Sequence, residues 1–253
     1  MKNAVLILAG GTSKRIGQDK ASLEYNGKTF LDILIESFND ADIAIASNDE
    51  RHHRDGCVLL ADKPGFVGPL AGILSGIEYF KRDHIFVVSV DTPFVNQMVM
   101  KSLQPSENDQ ITVAGINNRQ IYTIGWYPKD LPNSVSSDMA LKSYEEQMRF
   151  IDVGNFSDLC IGVNTHEDFN HLSKTKIIEL KVFGQLQERL GFSERSFALP
   201  RFINREEITN YFKKHFKQLD SITFQIAINQ SLSDETNPEL ITEIALFPPF
   251  SGG

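Results

Sequence analysis

Only two cysteines occur in the 253 residues, Cys57 and Cys160, and they form no C-x-x-C pair. Neither a cysteine-based zinc site nor a redox dithiol is therefore indicated. Both lie in apolar surroundings ("GCVLL" and "LCIGV"), which predicts small buried hydrophobes. Positive charge is scarce too: 25 Lys and Arg stand against 33 Asp and Glu, for a net charge of -8. Such a chain is a poor non-specific nucleic-acid binder, because that binding rests on neutralising phosphates with Lys and Arg. No apolar stretch approaches the ~20 residues a membrane span needs. The apolar run near the start is short, carries one lysine and stops at Gly10-Gly11 with no cleavage-type segment after it. A cytoplasmic protein without a membrane partner is expected. There is no internal repeat and no low-complexity segment.

What is present is alternation. "AVLILA" (4–9), "DADIAIAS" (40–47) and "DHIFVVSVD" (83–91) are continuous apolar runs of the kind buried on both faces of a parallel sheet. Helix-like segments lie between them, "TFLDILIESF" (29–38) and "GPLAGILSGIEYFK" (68–81). Strand and helix in turn predict a doubly wound α/β fold. Asn26-Gly27 is a turn signal. Further strands are expected at 111–116 and 120–128, and a helix opening with acids in its first turn within 164–172.

After His171 the character changes. Seven of the eight excess negative charges fall in residues 1–175. A short polar linker at 173–175 is expected to separate a domain of residues 1–172 from one of residues 176–253. In the second, "IIELKVFGQLQERLG" reads as an alternating strand, "EEITNYFKKHF" (206–216) as an amphipathic helix, and 221–231 and 242–250 as strands. This set suffices for a small α+β domain near the lower size limit of independent stability.

The chemistry begins where the first strand meets Gly10-Gly11, followed by Thr12, Ser13, Lys14, Arg15, Gly17, Asp19 and Lys20. Glycines let the backbone approach a ligand and turn N–H groups toward an anion, and Arg15 and Lys20 add charge beside them. The place, after the first strand of an open sheet, is where such folds bind ligands. A glycine turn bearing solvated charges is the plainer reading. The spacing is not G-x-G-x-x-G, and "SLEYNGKT" puts Ser22 where a P-loop needs its first glycine, so that G-K-T reads as a hairpin turn. Asp91 ends a buried strand in "VVSVDTP" and points into the same crevice, either as a helix cap or, beside a polyphosphate, as a magnesium ligand.

Three separated stretches, "LAGGTSKRIGQDKA", "DKPGFVGPLAGI" (62–73) and "DTPFV" (91–95), resemble the molybdenum cofactor guanylyltransferases, the MobA family, over roughly residues 1–172. Ile16 stands where the pattern usually has Met. The resemblance implies a Rossmann-like nucleotidyltransferase that uses Mg²⁺ to transfer GMP from GTP to molybdopterin or its molybdenum form. It implies that the backbone of Leu8, Ala9, Gly10 and Gly11 lines the nucleotide, that Arg15 and Lys20 stabilise phosphates and that Asp91 holds the metal. Asn48 and Asp62 match nucleotide-contacting positions, and the turn at 68–72 forms part of the wall. The family's N-x-N-T before the last helix is here "GVNT", with Gly162 in place of the first Asn, so only Asn164 remains for the pterin side. The "LAGG" start favours GTP over CTP. The alternatives are a cytidylyl or sugar-phosphate nucleotidyltransferase, or a nucleotide-binding domain that has lost activity.

"IIELKVFGQLQERLG" and the closing "ALFPPFSGG" resemble the molybdopterin synthase small subunit, the MoaD family of β-grasp, ubiquitin-like sulfur carriers, over roughly residues 176–253. On its own, Gly252-Gly253 also reads as a frayed end. The resemblance implies that Phe247, Pro248 and Pro249 stiffen the base of a tail. It further implies that Phe250, Gly252 and Gly253 enter a partner's active site, with Gly253 carrying sulfur as a thiocarboxylate. The implied partners are an adenylating enzyme and the large synthase subunit. The two resemblances together predict a natural fusion serving one pathway.

Overall fold

The computed structural model describes residues 2–10, 16–105, 110–116, 119–131, 140–232 and 237–249. The chain forms two compact units, residues 1–168 and 169–253. The division falls within the helix that precedes the expected linker, and beyond that helix only Lys174 separates it from the next strand.

The first unit is built on a seven-stranded sheet. In chain order its elements are β1 (Ala4–Leu8), β2 (Glu24–Tyr25), β3 (Lys28–Thr29), α1 (Phe30–Ser37), β4 (Asp42–Ala46), β5 (Val58–Leu60) and α2 (Pro69–Phe80). There follow β6 (His84–Ser89), α3 (Gln97–Leu103), β7 (Ile111–Ile116), β8 (Arg119–Pro128), β9 (Met148–Asp152) and α4 (His166–Ser173). The strand order is β5-β4-β1-β6-β8-β7-β9. Pairing is parallel from β5 through β6 and again between β7 and β9, whereas β8 runs antiparallel to both its neighbours. The sheet is thus mostly parallel, as expected. β1 lies inside the sheet between β4 and β6 and every one of its side chains is buried, which is why its sequence is an unbroken apolar run.

Local chemistry sets the ends of these elements. Asn26 and Gly27 both take positive φ (54° and 77°), the pairing a tight two-residue hairpin demands, so the G-K-T stretch belongs to a hairpin, with Gly27 in its turn and Lys28-Thr29 in its second strand. Thr29 then caps α1, its hydroxyl accepting from the Asp32 N–H at 3.2 Å. Gly76 on α2 lets that helix lie flat on β1: a Cβ there would stand 2.6 Å from Leu6 Cδ2. Gly125 on β8 is tighter still, since a Cβ would stand 2.2 Å from the Thr112 carbonyl oxygen and 2.8 Å from Val113 Cα. Those atoms are backbone of β7, at the register shift between Val113 and Ala114, and have little room to give. Gly125→Ala is therefore expected to cost about 3 kcal/mol, lowering Tm by roughly 6–12 °C. A thermal melt within about 2 °C of wild type would refute this account of the bulge.

Two sequence expectations need correction. Cys160 is buried but Cys57 is only half-buried. "IIELKVFGQLQERLG" is not one strand: it is β10 (Thr175–Val182), a turn through Gly184 at φ 58°, and α5 (Gln185–Leu190). The second unit continues with β11 (Glu194–Pro200), α6 (Arg205–His215), β12 (Gln225–Ile228) and β13 (Glu243–Phe247). Its sheet order is β11-β10-β13-β12, with a parallel pair, β10 and β13, in the centre and antiparallel strands on either side. β10 alternates strictly, burying Ile178, Leu180 and Val182. Asn204 and Glu207 close a capping box on α6, whose Ile208 and Phe212, one turn apart, fill the core against Phe197 and Leu199. Among the described residues no helix is long and apolar enough to cross a membrane.

Candidate active site

Two cavities open at the carboxyl ends of the first unit's strands. The first, about 310 Å³, is lined by Leu8, Gly10, Ala46, Asp62, Gly68, Pro69, Gly72 and Ser89. It is where an open doubly wound sheet places a ligand, beyond β1, β4 and β6. Gly72 is what keeps its floor low: a Cβ would stand 2.8 Å from Ala46 Cβ and 3.0 Å from Leu8 Cδ2. The wall expected from residues 68–72 is there. Asn48 and Asp62 form a two-way clasp beside it, the Asn48 amide donating to Asp62 Oδ2 at 2.9 Å and the Asp62 N–H donating back to Asn48 Oδ1 at 2.9 Å. Burial raises the Asp62 carboxyl above its usual range, with the Asn48 bond opposing the shift.

At the mouth of β1 the backbone differs from expectation. The N–H groups of Ala9 and Gly10 both donate to the Ala46 carbonyl, each at 3.0 Å. They are spent on the fold, so amides facing an anion cannot be these two. Gly11 and Arg15 lie outside the described residues, as do Phe250, Gly252 and Gly253.

The second cavity, about 690 Å³, is lined by Asp91, Thr92, Ile116, Arg119, Gln120, Ile121, Thr123, Ser157, Cys160, Ile161, Gly162 and Asn164. Arg119, Gln120 and Thr123 carry no local sequence signal; the exposed start of β8 brings them to this wall. Burial pushes the Cys160 thiol up to about 12, so it lines the wall as a small apolar group. Gly162 leaves space in this wall, since a Cβ would stand 3.2 Å from Asn164 Nδ2.

Lys20 and Asp91 meet beside this cavity. Lys20 Nζ donates to Asn164 Oδ1 at 2.8 Å and approaches Asp91 Oδ2 at 3.4 Å, joining residues 71 and 144 positions distant in sequence. Asn164 is itself fixed, because Asp168 Oδ2 accepts from the N–H groups of both Asn164 and Thr165. Those backbone bonds hold the Asp168 carboxyl below its usual range. Asp91 is not a helix cap, since α3 is capped by Asn96. Among the described residues no cluster of three or more His, Cys, Asp or Glu stands ready for a metal. A single carboxylate at a strand end nevertheless fits Mg²⁺ in its usual nucleotide-bound form, in which one or two carboxylates suffice because phosphates and waters supply the rest.

A cleft over the end of an interior parallel strand and a Lys–Asp pair beside a second cavity place the first unit among doubly wound α/β proteins with ligand-sized clefts at their strand ends. Residues 5–152 match the MobA-like NTP transferase domain, and the chain belongs to that family. A probable molybdenum cofactor guanylyltransferase of Clostridium perfringens is 35% identical over 112 residues, which cover 43% of this chain and 57% of the relative. The chain thus spans little more than half of that relative's length. A probable molybdenum cofactor guanylyltransferase of Bacillus velezensis is 28% identical over 196 residues, covering 68% of this chain and 95% of the relative. Among solved structures, the molybdopterin-guanine dinucleotide biosynthesis protein A of Archaeoglobus fulgidus superposes with a TM-score of 0.55 at 19% identity. That superposition covers 67% of this chain and 96% of the other, and it shows the shared fold.

Proposed function

We propose that the first unit transfers GMP from GTP to the terminal phosphate of molybdopterin, or of its molybdenum form, and releases pyrophosphate. The observation that carries this reading is the Lys20–Asp91–Asn164 cluster, which lies beside the second cavity and a short step along the chain from Ser89 in the first. A nucleotide in the first cavity and a phosphorylated acceptor in the second would meet at that cluster. The acceptor's phosphate oxygen attacks the α-phosphorus, the bond to the β-phosphate oxygen breaks, and pyrophosphate departs with that electron pair. A phosphomonoester is already an anion, so positioning and charge neutralisation carry the reaction. Lys20 binds phosphate oxygens, and Arg15 adds a second cation. Asp91 would hold Mg²⁺, which supplies charge neutralisation on the phosphates. Asn164 orients Lys20 and faces the pterin side.

Asp62 supports guanine over cytosine. A carboxylate only accepts, and guanine offers adjacent ring N–H and amino donors where cytosine offers its amino group alone. The test is calorimetry with Mg²⁺ and GTP, CTP, ATP or UTP, on wild type and Asp91→Asn. Selective GTP binding weakened by the substitution is expected. CTP preference would move the protein to the cytidylyltransferases, and no nucleotide binding would leave a non-catalytic first unit.

A second reading concerns residues 169–253. We propose a β-grasp, ubiquitin-like sulfur carrier whose tail ends in Gly252-Gly253, working with an adenylating enzyme and a molybdopterin synthase large subunit. The strand order, with its central parallel pair and one long helix, supports it. So does the anchoring of the F-P-P segment. Phe247 stacks on Phe183 with ring centroids 4.7 Å apart, and Pro248 Cγ lies 3.0 Å from where a Gly184 Cβ would stand.

A further inference from the structure

His52 has no part in the nucleotide contacts above, yet it is among the most enclosed polar groups of the first unit. It is 4% exposed and its neighbour Ser47 2%. Both ring nitrogens are engaged: Nδ1 lies 2.7 Å from Ser47 Oγ and Nε2 lies 2.8 Å from Asp19 Oδ2. Since a carboxylate only accepts, Nε2 is the donor to Asp19. Ser47 Oγ in turn accepts from the Asp49 N–H at 3.0 Å.

Asp19 is the residue before Lys20 and caps the single 3-10 turn Lys20–Ser22. Its Oδ1 accepts from the Ala21 N–H at 3.1 Å, and its Oδ2 accepts from Ser22 Oγ at 2.7 Å as well as from His52. Burial would raise this carboxyl, but the bonds from His52, Ser22 and Ala21 together hold it below its usual range. The imidazole thus ties the end of β4, where Asn48 grips Asp62, to the turn that presents Lys20. Lysine has a flexible four-carbon stem, and its head stays in one place only if its backbone does.

We propose that His52 is a positioning residue for the transfer reaction: through Asp19 and the turn that Asp19 caps, it holds Lys20 between Asp91 and Asn164. This rests on the reading of Lys20 as a phosphate ligand. His52→Ala would leave Asp19 its Ala21 and Ser22 donors but remove the bond that ties the capped turn to the end of β4. Gln carries an amide N–H near the position of Nε2 and restores a donor there.

The test compares GTP and inorganic pyrophosphate, each with Mg²⁺, against guanosine. The variants are His52→Ala, His52→Gln, Asp19→Asn, Lys20→Ala and the double changes with Lys20→Ala. His52→Ala is expected to weaken GTP and pyrophosphate binding about tenfold, with guanosine binding unchanged. His52→Gln should recover most of the loss. In the Lys20→Ala background neither His52→Ala nor Asp19→Asn should weaken binding further, because both act through that lysine. If His52→Ala does not fold, Asp19→Asn carries the same comparison. Losses that multiply in the double changes would show a merely structural role and overturn the proposal. So would wild-type phosphate affinity in His52→Ala and Asp19→Asn beside a clear loss in Lys20→Ala. Unchanged binding in Lys20→Ala itself would instead remove the phosphate-ligand reading, and this proposal with it.

Discussion

Asp91→Asn is expected to lower the rate of dinucleotide formation by roughly 10³-fold while barely changing the melting temperature. The two effects separate because the two halves of Asp91 have different duties. Its backbone carbonyl accepts from the Val163 N–H at 2.7 Å and so ties the loop before α4 to the end of β6. Asparagine keeps that bond. The side chain, 24% exposed, faces Lys20 and the second cavity, and asparagine there removes the negative charge that suits a divalent cation. It also removes the negative charge that pairs with Lys20, leaving that ammonium only neutral amide oxygens, those of Asn164 and the new asparagine, as acceptors among the groups described. The measurement is pyrophosphate release with GTP and molybdopterin as substrates, run beside a thermal melt. Activity within tenfold of wild type at saturating Mg²⁺ would remove Asp91 from the transfer step. A large fall in melting temperature would mean that the carboxylate supports the fold.

How much of this site could be read from the sequence follows from distance along the chain. The end of β1 at Leu8, Asp91 just past β6 and the residues 68–72 each announce themselves locally, by a strand end or a helix start. The hairpin at Asn26-Gly27 and the strand at 111–116 were legible for the same reason. The clasp of Asn48 on Asp62 was only half visible, as two separate matches. The His52–Asp19 link spans 33 residues and involves a histidine with no local pattern around it, so nothing in the sequence marked it. β5 and β9 were missed for different physical reasons. β5 has three residues, too few to show a period. β9, at the sheet edge, reads Met-Arg-Phe-Ile-Asp with mostly exposed side chains, and its apolar signal is correspondingly weak. β10 looks longer in the sequence than it is, because Leu186 and Leu190 of α5 continue an apolar pattern past Gly184, where positive φ turns the chain into a helix. The antiparallel insertion of β8 between β6 and β7 is a tertiary choice with no local signature.

Deleting Gly253 is expected to abolish sulfur loading of the second unit and to leave nucleotide transfer at the wild-type rate. Every residue of the candidate transfer site falls within residues 1–168, and the described core of the second unit is assembled from residues 178–246. Removing one glycine beyond Pro249 takes away neither the Phe247–Phe183 stack nor the Pro248 contact at Gly184, so the base of the tail stays anchored. What changes is the reach and register of the terminal carboxylate. In the proposed reaction that carboxylate attacks the α-phosphorus of ATP, releasing pyrophosphate, and a sulfide equivalent from a sulfur donor then displaces AMP to leave a thiocarboxylate. A tail one residue short, about 3.4 Å less in extended form, cannot place its carboxylate at the same phosphorus. The assay is incubation of the full chain with an adenylating enzyme, ATP and a sulfur donor. Intact mass then reports the exchange of oxygen for sulfur, and pyrophosphate release from GTP is followed in parallel. Loading of the shortened chain at the wild-type rate would refute the carrier reading of residues 169–253. Loss of both activities in a folded protein would refute the independence of the two sites.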